Sequence, residues 1–123
     1  MRKLLLLLLL LCACKKEERE LVRIEKVEVT ESVRLGDTVY LYLEGHLPDP
    51  CWEFQGYDIT QSDTVIQIWP WMVRKEEEAC VCLQYLVAFT DTLAFLFHSP
   101  GTYRFYVYTS DTFLTATSEV WIK

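Results

Sequence analysis

The feature that most constrains the fold is an alternation of apolar and polar residues through most of the chain after residue 21. In one segment Val39, Leu41 and Leu43 alternate with polar or amphipathic residues. Successive side chains of a β-strand point to opposite faces, so this spacing predicts strands with one face in a core. The same pattern recurs in segments whose apolar members are Val81, Leu83, Tyr85, Val87 and Phe89; Leu93, Phe95 and Phe97; Tyr103, Phe105 and Val107; and Val120 and Ile122. Residues 22–29 alternate only loosely, and residues 64–69 are rich in β-branched and aromatic side chains.

Turn-forming residues separate these segments. They are Leu35-Gly36-Asp37, Pro48-Asp49-Pro50, Gln61-Ser62-Asp63, Thr90-Asp91, Ser99-Pro100-Gly101 and Ser110-Asp111. A spacing of about ten residues between turns is typical of a sandwich or barrel. The sequence therefore predicts an all-β domain over residues 21–123, an antiparallel β-sandwich of seven to eight strands. The one candidate helix is short and lies around Val73 to Ala79.

The N-terminus has a different character. Met1-Arg2-Lys3 precedes an unbroken run of leucines from Leu4 to Leu11. This run is too short to span a bilayer as a helix, which takes about 20 residues. A positive start, a short apolar run and a small residue before the cut together predict a cleaved export signal at residues 1–13.

The end of that signal, Leu11-Cys12-Ala13-Cys14, resembles the lipobox of bacterial lipoproteins. The resemblance implies that Cys14 is acylated and becomes the N-terminus of the mature chain. Cys12 fits less well, because leucine rather than a small residue would then precede the cut.

Residues 14–20 are predicted to form a charged tether between the lipid and the domain. Within it, Lys16-Glu17-Glu18 resembles the signal that directs some lipoproteins to the outer face of the outer membrane. We therefore expect a lipid-anchored protein of the bacterial cell envelope, in the outer membrane. Both the periplasmic and the surface-exposed orientation stay open.

Charge narrows the choice of partners. Cleavage would leave 110 of the 123 residues and would lower the net charge from −6 to −8, because Arg2 and Lys3 are lost. An acidic domain repels phosphate backbones, so nucleic-acid binding is not expected. The membrane is instead expected as a partner through the lipid, since several acyl chains anchor a protein stably.

Several stretches between Leu47 and Val107 resemble small exported bacterial Ig-like domains: Leu47-Pro48-Asp49-Pro50-Cys51-Trp52, Cys82-Leu83-Gln84, Phe89 and Pro100-Gly101-Thr102-Tyr103. The resemblance implies an Ig-like sandwich with a disulfide between Cys51 and Cys82. Cys80 departs from the pattern and is the alternative partner of Cys51. Cys80-Val81-Cys82 would suit a soft metal ion, but no methionine or histidine lies near it in sequence. No metal and no cofactor are expected.

Aromatic residues supply the candidate binding surface. Trp69 and Trp71 flank Pro70, which is expected to end the strand. At a strand end the two tryptophans would form an exposed platform for a sugar or a protein, although packing in the core or at a sheet edge is the simpler interpretation. Four tyrosines on alternate strand faces are predicted to form a ladder outside one sheet: Tyr40, Tyr42, Tyr106 and Tyr108. If contiguous and exposed, that ladder would be a partner-binding surface.

Catalysis is not expected. His46 and His98 fall at predicted strand ends, and Ser99, next to His98, would point to the opposite face of a strand. The chain contains neither a Gly-x-Ser-x-Gly elbow nor a His-Glu-x-x-His motif. No two carboxylates stand out as a catalytic pair, so no catalytic residue is assigned.

The expected function is a non-catalytic binding or structural module in the envelope, with an envelope protein or a glycan as partner. Two alternatives stay open. A protease-inhibitor-like protein would present Pro48-Asp49-Pro50 or Ser99-Pro100-Gly101 to a protease. An envelope enzyme would need polar residues clustered in a cleft.

Overall fold

Two packed β-sheets make up residues 18–74 and 85–122, which the computed structural model describes. Within these residues there are nine strands. They are β1 (Arg19–Leu21), β2 (Arg23–Val29), β3 (Ser32–Arg34), β4 (Val39–Leu47), β5 (Trp52–Ser62), β6 (Val65–Arg74), β7 (Val87–Phe95), β8 (Gly101–Thr109) and β9 (Thr112–Trp121). The same residues contain no helix of the length and apolarity needed to cross a bilayer.

β6 organises the larger sheet, which has six strands. β5 pairs antiparallel along one side of β6. On the other side β8 pairs parallel with residues 65–68, and β1 pairs antiparallel with residues 71–73. β9 pairs antiparallel with β8, and β3 lies parallel to the end of β9. The smaller sheet is antiparallel throughout, in the order β2-β4-β7.

Most of the predicted strand faces are confirmed, but Tyr85 and Ile122, which were predicted to face the core, are exposed because they lie just outside β7 and β9. Val39, Leu41 and Leu43 are fully buried, whereas Tyr40 between them is exposed. In β8, Phe105 and Val107 are likewise buried. The core between the sheets consists of Val22, Ile24, Val39, Leu41, Leu43, Leu47, Trp52, Ile66, Ile68, Met72, Phe89, Phe97, Tyr103, Phe105, Val107 and Val120.

The prediction of a purely antiparallel sandwich is wrong, because the six-stranded sheet is mixed. β6 and β8 run parallel, as do β3 and β9. Between β6 and β8 the chain passes through β7 in the other sheet, so it returns to the larger sheet in its original direction. Residue alternation reports which face is buried and carries no information about strand direction.

Pro70 does not end its strand as predicted. β6 continues through it to Arg74, and Pro70 is fully buried. Pro70 has no N–H to donate to a neighbouring strand. It lies between residues 65–68, which pair with β8, and residues 71–73, which pair with β1, so no hydrogen bond between strands is lost at this position. Its carbonyl accepts a hydrogen bond from the Val22 N–H at 2.9 Å.

The predicted turn at Thr90-Asp91 is also wrong. Both residues lie inside β7, which pairs with β4 over its whole length. Asp91 is tolerated there because its carboxylate accepts a hydrogen bond from the Tyr57 hydroxyl of the opposite sheet.

The loose pattern near the start of the domain has a structural cause. The chain changes sheets at Val22, so residues 19–21 and 23–29 pair in different sheets. A bulge between Ile24 and Lys26 interrupts the alternation further. β1 also begins inside the segment predicted as tether. Of the candidate helix, Val73 and Arg74 belong to β6, and the remainder lies outside the described residues.

Candidate binding surface

Three neighbouring strands bring five aromatic side chains to the outer side of the six-stranded sheet. Trp69 and Trp71 alternate with buried residues of β6, so both point away from the core. Tyr106 and Tyr108 do the same on β8, and Phe113 lies opposite Tyr108 on β9. We call these five residues the aromatic face.

Four rings of the aromatic face form a connected row, and Trp71 lies beside it on β6, two residues from Trp69. Trp69 and Tyr108 are stacked with centroids 4.8 Å apart and planes 6° from parallel. This spacing matches the distance of about 4.8 Å between adjacent strands, so the rings stack along the direction from strand to strand and turn their edges outward. Phe113 extends the row, with its centroid 5.8 Å from Tyr108 and 5.6 Å from Tyr106. The Gln67 amide donates a hydrogen bond to the Tyr108 hydroxyl at 2.8 Å.

At the β1 end of this row, Arg19 covers Trp71. The guanidinium carbon lies 4.0 Å from the centroid of the indole ring. Arg19 also reaches two residues of β5: its Nε donates to Gln55 Oε1 at 3.0 Å, and its Nη2 lies 3.5 Å from Asp58. The Trp71 indole N–H donates to the same Asp58 carboxylate at 2.9 Å. A cation over an exposed aromatic ring contributes about 0.5–1 kcal/mol, and here it holds β1 against the sheet.

A bulge in β5 makes this arrangement possible. The register with β6 shifts between Phe54 and Gly56, and Gln55 lies at the shift. Gly56 has a φ of +148°, a conformation that side chains beyond glycine rarely adopt. Beyond the bulge, an open depression of about 480 Å³ is lined by Asp58, Ile59, Thr60, Trp69 and Trp71.

The structure divides the predicted tyrosine ladder between two faces. Tyr40 and Tyr42 lie on β4, in the centre of the smaller sheet, and point outward on the opposite side of the molecule. Their neighbours across the strands include Ala94 and Thr92 of β7 and Glu28 of β2. They are therefore not part of the aromatic face, which keeps Tyr106 and Tyr108.

Phe113 was not among the sequence-based candidates, although the sequence contains a signal for it. Ser110-Asp111 forms a two-residue turn, and a turn of that length fixes the hairpin register. Thr109 and Thr112 flank the turn and pair with each other, so the next pair along the hairpin is Tyr108 with Phe113. Opposite residues share a face, so this register alone would have added Phe113 to the tyrosines.

The cysteine predictions fall mainly outside the described residues. Cys14, Cys80 and Cys82 lie there, and no disulfide has both cysteines inside the described ranges. Cys51 is buried, at 1% exposure, and is disulfide-bonded; its pairing with Cys82, or with Cys80 as the alternative, stays a prediction. Its N–H donates to Asp49 Oδ1 at 2.8 Å, which closes the predicted proline turn.

The histidines lie apart from the aromatic face. His46 is the second-last residue of β4, and its Nδ1 contacts the Glu25 carboxylate of β2. His98 is exposed in the connection between β7 and β8, beside Ser99, whose carbonyl accepts a hydrogen bond from the Tyr103 hydroxyl at 2.6 Å. Over residues 18–74 and 85–122, no group of three or more histidine, cysteine, aspartate or glutamate side chains is placed to hold a metal ion.

A partly buried hydrogen bond between Tyr57 of β5 and Asp91 of β7 joins the two sheets. The Tyr57 hydroxyl donates to Asp91 Oδ2 at 2.7 Å, and the Tyr57 ring packs edge-on against Phe54. Burial, with a further contribution from the Asp91 carboxylate, raises the pKa of Tyr57 well above its usual value. The phenol therefore stays protonated and serves as a donor that fixes the spacing of the sheets.

No protein-family model, curated protein or solved structure matches the chain. The fold itself defines the class of protein, a small all-β domain with two packed sheets of six and three strands.

Proposed function

We propose that the protein is a lipid-anchored component of the bacterial cell envelope whose domain is a non-catalytic binding module, with the aromatic face as its contact surface. The observation that carries this proposal is the contact among four of the five rings, with Trp71 on the same face of β6 two residues from Trp69. Aromatic side chains bring a large contact area, and tryptophan and tyrosine are enriched where protein surfaces bind. Phe113, which is 49% exposed, leaves the edge of the row open to a partner.

The contrast between the two outer faces supports the choice of surface. The face of the smaller sheet carries charges, with Lys26 and Glu28 paired at 3.0 Å and Glu44 beside Lys26. The five residues of the aromatic face are uncharged. Around them on the same side of the sheet, Arg19 lies against Asp58, and Arg104 is exposed on β8 two residues from Tyr106. Depletion of charge at the centre of a patch is typical of binding surfaces.

The anchor in this proposal rests on the lipobox-like Leu11-Cys12-Ala13-Cys14 and the charged residues after it. We further propose that the domain is a divergent relative of small exported Ig-like sandwiches. Two packed sheets and the burial of Cys51, Phe89 and Tyr103 in the stretch that carries the resemblance support this relation. Its mixed sheet distinguishes it from a purely antiparallel sandwich.

Photo-cross-linking in intact cells tests the contact surface. Thr115 is exposed on β9 opposite Tyr106, and Thr92 is exposed on β7 opposite Tyr42, so they are matched positions on the two outer faces. A benzophenone amino acid at position 115 should give one defined adduct that is absent with the probe at position 92. Equal patterns at both positions would show that neither face is a dedicated contact surface, and the proposal would fail.

A further inference from the structure

The point at which the chain enters the domain adjoins the aromatic face. Glu18 is the first described residue, and its carbonyl accepts a hydrogen bond from the Arg74 N–H at 2.9 Å. β1 then runs alongside the end of β6, with Leu21 directly opposite Trp71. Opposite residues on paired strands share a face. β1 therefore places the N-terminal end of the described chain beside Trp71.

The tether leaves little room between this point and the predicted lipid. Only four peptide steps separate Cys14 from Glu18. A fully extended chain spans at most about 3.3–3.6 Å per residue, which limits the separation to about 14 Å. A lipid at Cys14 therefore holds the β1 edge of the domain close to the headgroups, and the domain cannot stand clear of the membrane on a long stalk.

The character of the nearby surface indicates which side turns toward the bilayer. Tryptophan and tyrosine concentrate at membrane–water interfaces, where a ring sits among headgroups and its polar atom keeps a partner. Trp71 and Tyr108 have this form, since the indole N–H is bonded to Asp58 and the phenol to Gln67. The opposite face carries the charged side chains of the smaller sheet, and the mature chain as a whole would be acidic, which anionic headgroups repel.

We infer that the partner of the aromatic face is the bilayer that holds the chain's own lipid anchor. The domain lies on the membrane with this face at the headgroup interface, and the charged face of the smaller sheet points away from it. This inference rests on the proposed function, because it needs both the anchor at Cys14 and a contact surface on the six-stranded sheet.

The test uses the full lipidated chain, purified from bacterial membranes and reconstituted into vesicles of phosphatidylethanolamine and phosphatidylglycerol. Benzophenone at position 115 is compared with benzophenone at position 92, and lipid adducts are counted by mass spectrometry. Packed sheets lie about 10 Å apart, so position 92 is kept away from lipid when position 115 touches it. We expect roughly fivefold more lipid adduct at position 115, an orientational preference of about 1 kcal/mol.

A pair of matched substitutions distinguishes membrane contact through the aromatic face from attachment through the lipid anchor. Phe113→Glu places a charge at the exposed end of the aromatic face, and Tyr40→Glu places the same charge on the opposite face at a residue of similar exposure, 54% against 49%. Phe113→Glu should bring the adduct ratio close to one, and Tyr40→Glu should leave it unchanged. The anchor is identical in both variants, so only contact through the face distinguishes them.

Each other outcome overturns the inference. Equal labelling at positions 115 and 92 in vesicles would mean that the anchored domain has no preferred face. A chain that carries no lipid on Cys14 would remove the distance argument. If intact cells give a protein or glycan adduct at position 115 while vesicles give no lipid adduct, the proposed binding function survives and its partner is not the membrane.

Discussion

Replacing Tyr57 by phenylalanine tests whether one hydrogen bond between the sheets contributes measurably to the stability of the fold. The change removes only the hydroxyl that donates to Asp91 Oδ2 at 2.7 Å. The ring and its edge-on contact with Phe54 remain, with the centroids 4.9 Å apart, so no cavity is created. Asp91 keeps its bond to the Thr92 N–H at 2.9 Å and is not left without a partner.

The expected loss follows from the kind of bond. A hydrogen bond to a charged group contributes about 1.5–3 kcal/mol. Tyr57 is partly exposed, and solvent near the carboxylate places the value toward the lower end, at about 1.5 kcal/mol. For a domain of this size that corresponds to a fall in Tm of roughly 6–12 °C.

Urea denaturation at neutral pH measures this difference, with Tyr40→Phe as the control. Tyr40 is an exposed tyrosine on the outer face of the smaller sheet, and its loss of a hydroxyl should change the free energy of unfolding by less than about 0.5 kcal/mol. The dependence of stability on urea should keep the same slope in both variants. If Tyr57→Phe is as stable as the control, the bond between the sheets contributes nothing and the argument is refuted.

The raised pKa of Tyr57 adds a pH dependence with a definite sign. The hydroxyl must be protonated to donate, and burial with the Asp91 carboxylate favours the protonated form in the folded state. Below about pH 10, where tyrosine is protonated in the unfolded chain as well, the difference between the parent and Tyr57→Phe should be constant. Above that pH only the unfolded chain loses the proton, so the difference should shrink. A difference that grows between about pH 9 and pH 11 would contradict this linkage.

Two further substitutions test how β2 is held, by Thr109 of the larger sheet and by Gly45 of β4 in its own sheet. Thr109→Val should lower the free energy of unfolding by about 2–4 kcal/mol, because the Thr109 hydroxyl accepts from the Ile24 N–H at 2.9 Å and donates to the Val22 carbonyl at 3.0 Å, both buried. The same change at an exposed threonine of β9 should have almost no effect. Gly45→Ala should cost about 3 kcal/mol, because a Cβ there would lie 2.0 Å from the Arg23 carbonyl oxygen, whose backbone cannot move cheaply. A Gly45→Ala domain with the parent's urea midpoint would show that the register of β2 and β4 is wrong.

The parts of the fold that could be predicted are those encoded locally. The inward direction of Leu41 or Phe105 follows from alternation with its immediate neighbours, and both are buried as expected. Strand direction and sheet membership depend on contacts between distant segments. That is why the parallel pairing of β6 with β8 could not be predicted from residue spacing.

Two local rules gave wrong answers because tertiary contacts override them. Proline usually ends a strand, but the position of Pro70 in the sheet does not require a ladder bond from its nitrogen. Aspartate favours turns through bonds to its own backbone, but Asp91 finds a partner in Tyr57 and stays within β7. In both cases a neighbour distant in sequence determines the structure.

The candidate binding surface also depends on contacts between distant segments, as two pairs of tyrosines with the same sequence spacing show. Tyr40 and Tyr42 have the same spacing as Tyr106 and Tyr108, so the sequence could not separate the pairs. The first pair faces small or charged neighbours, and the second lies between Trp69 and Phe113.

This difference also determines where packing and binding can be distinguished experimentally. Trp69 and Tyr108 stack on each other, so replacing either removes packing together with any contact surface. Phe113 lies on β9, the outermost of the three strands, and is about half exposed, so its ring buries less area than Trp69 or Tyr108 although it contacts both tyrosines. If the aromatic face existed only to stabilise the sheet, nothing would require an exposed phenylalanine at its edge, where a polar residue costs little stability. A Phe113→Glu domain that keeps its stability and loses its membrane contact therefore separates the two roles, which substitutions in the middle of the row cannot do.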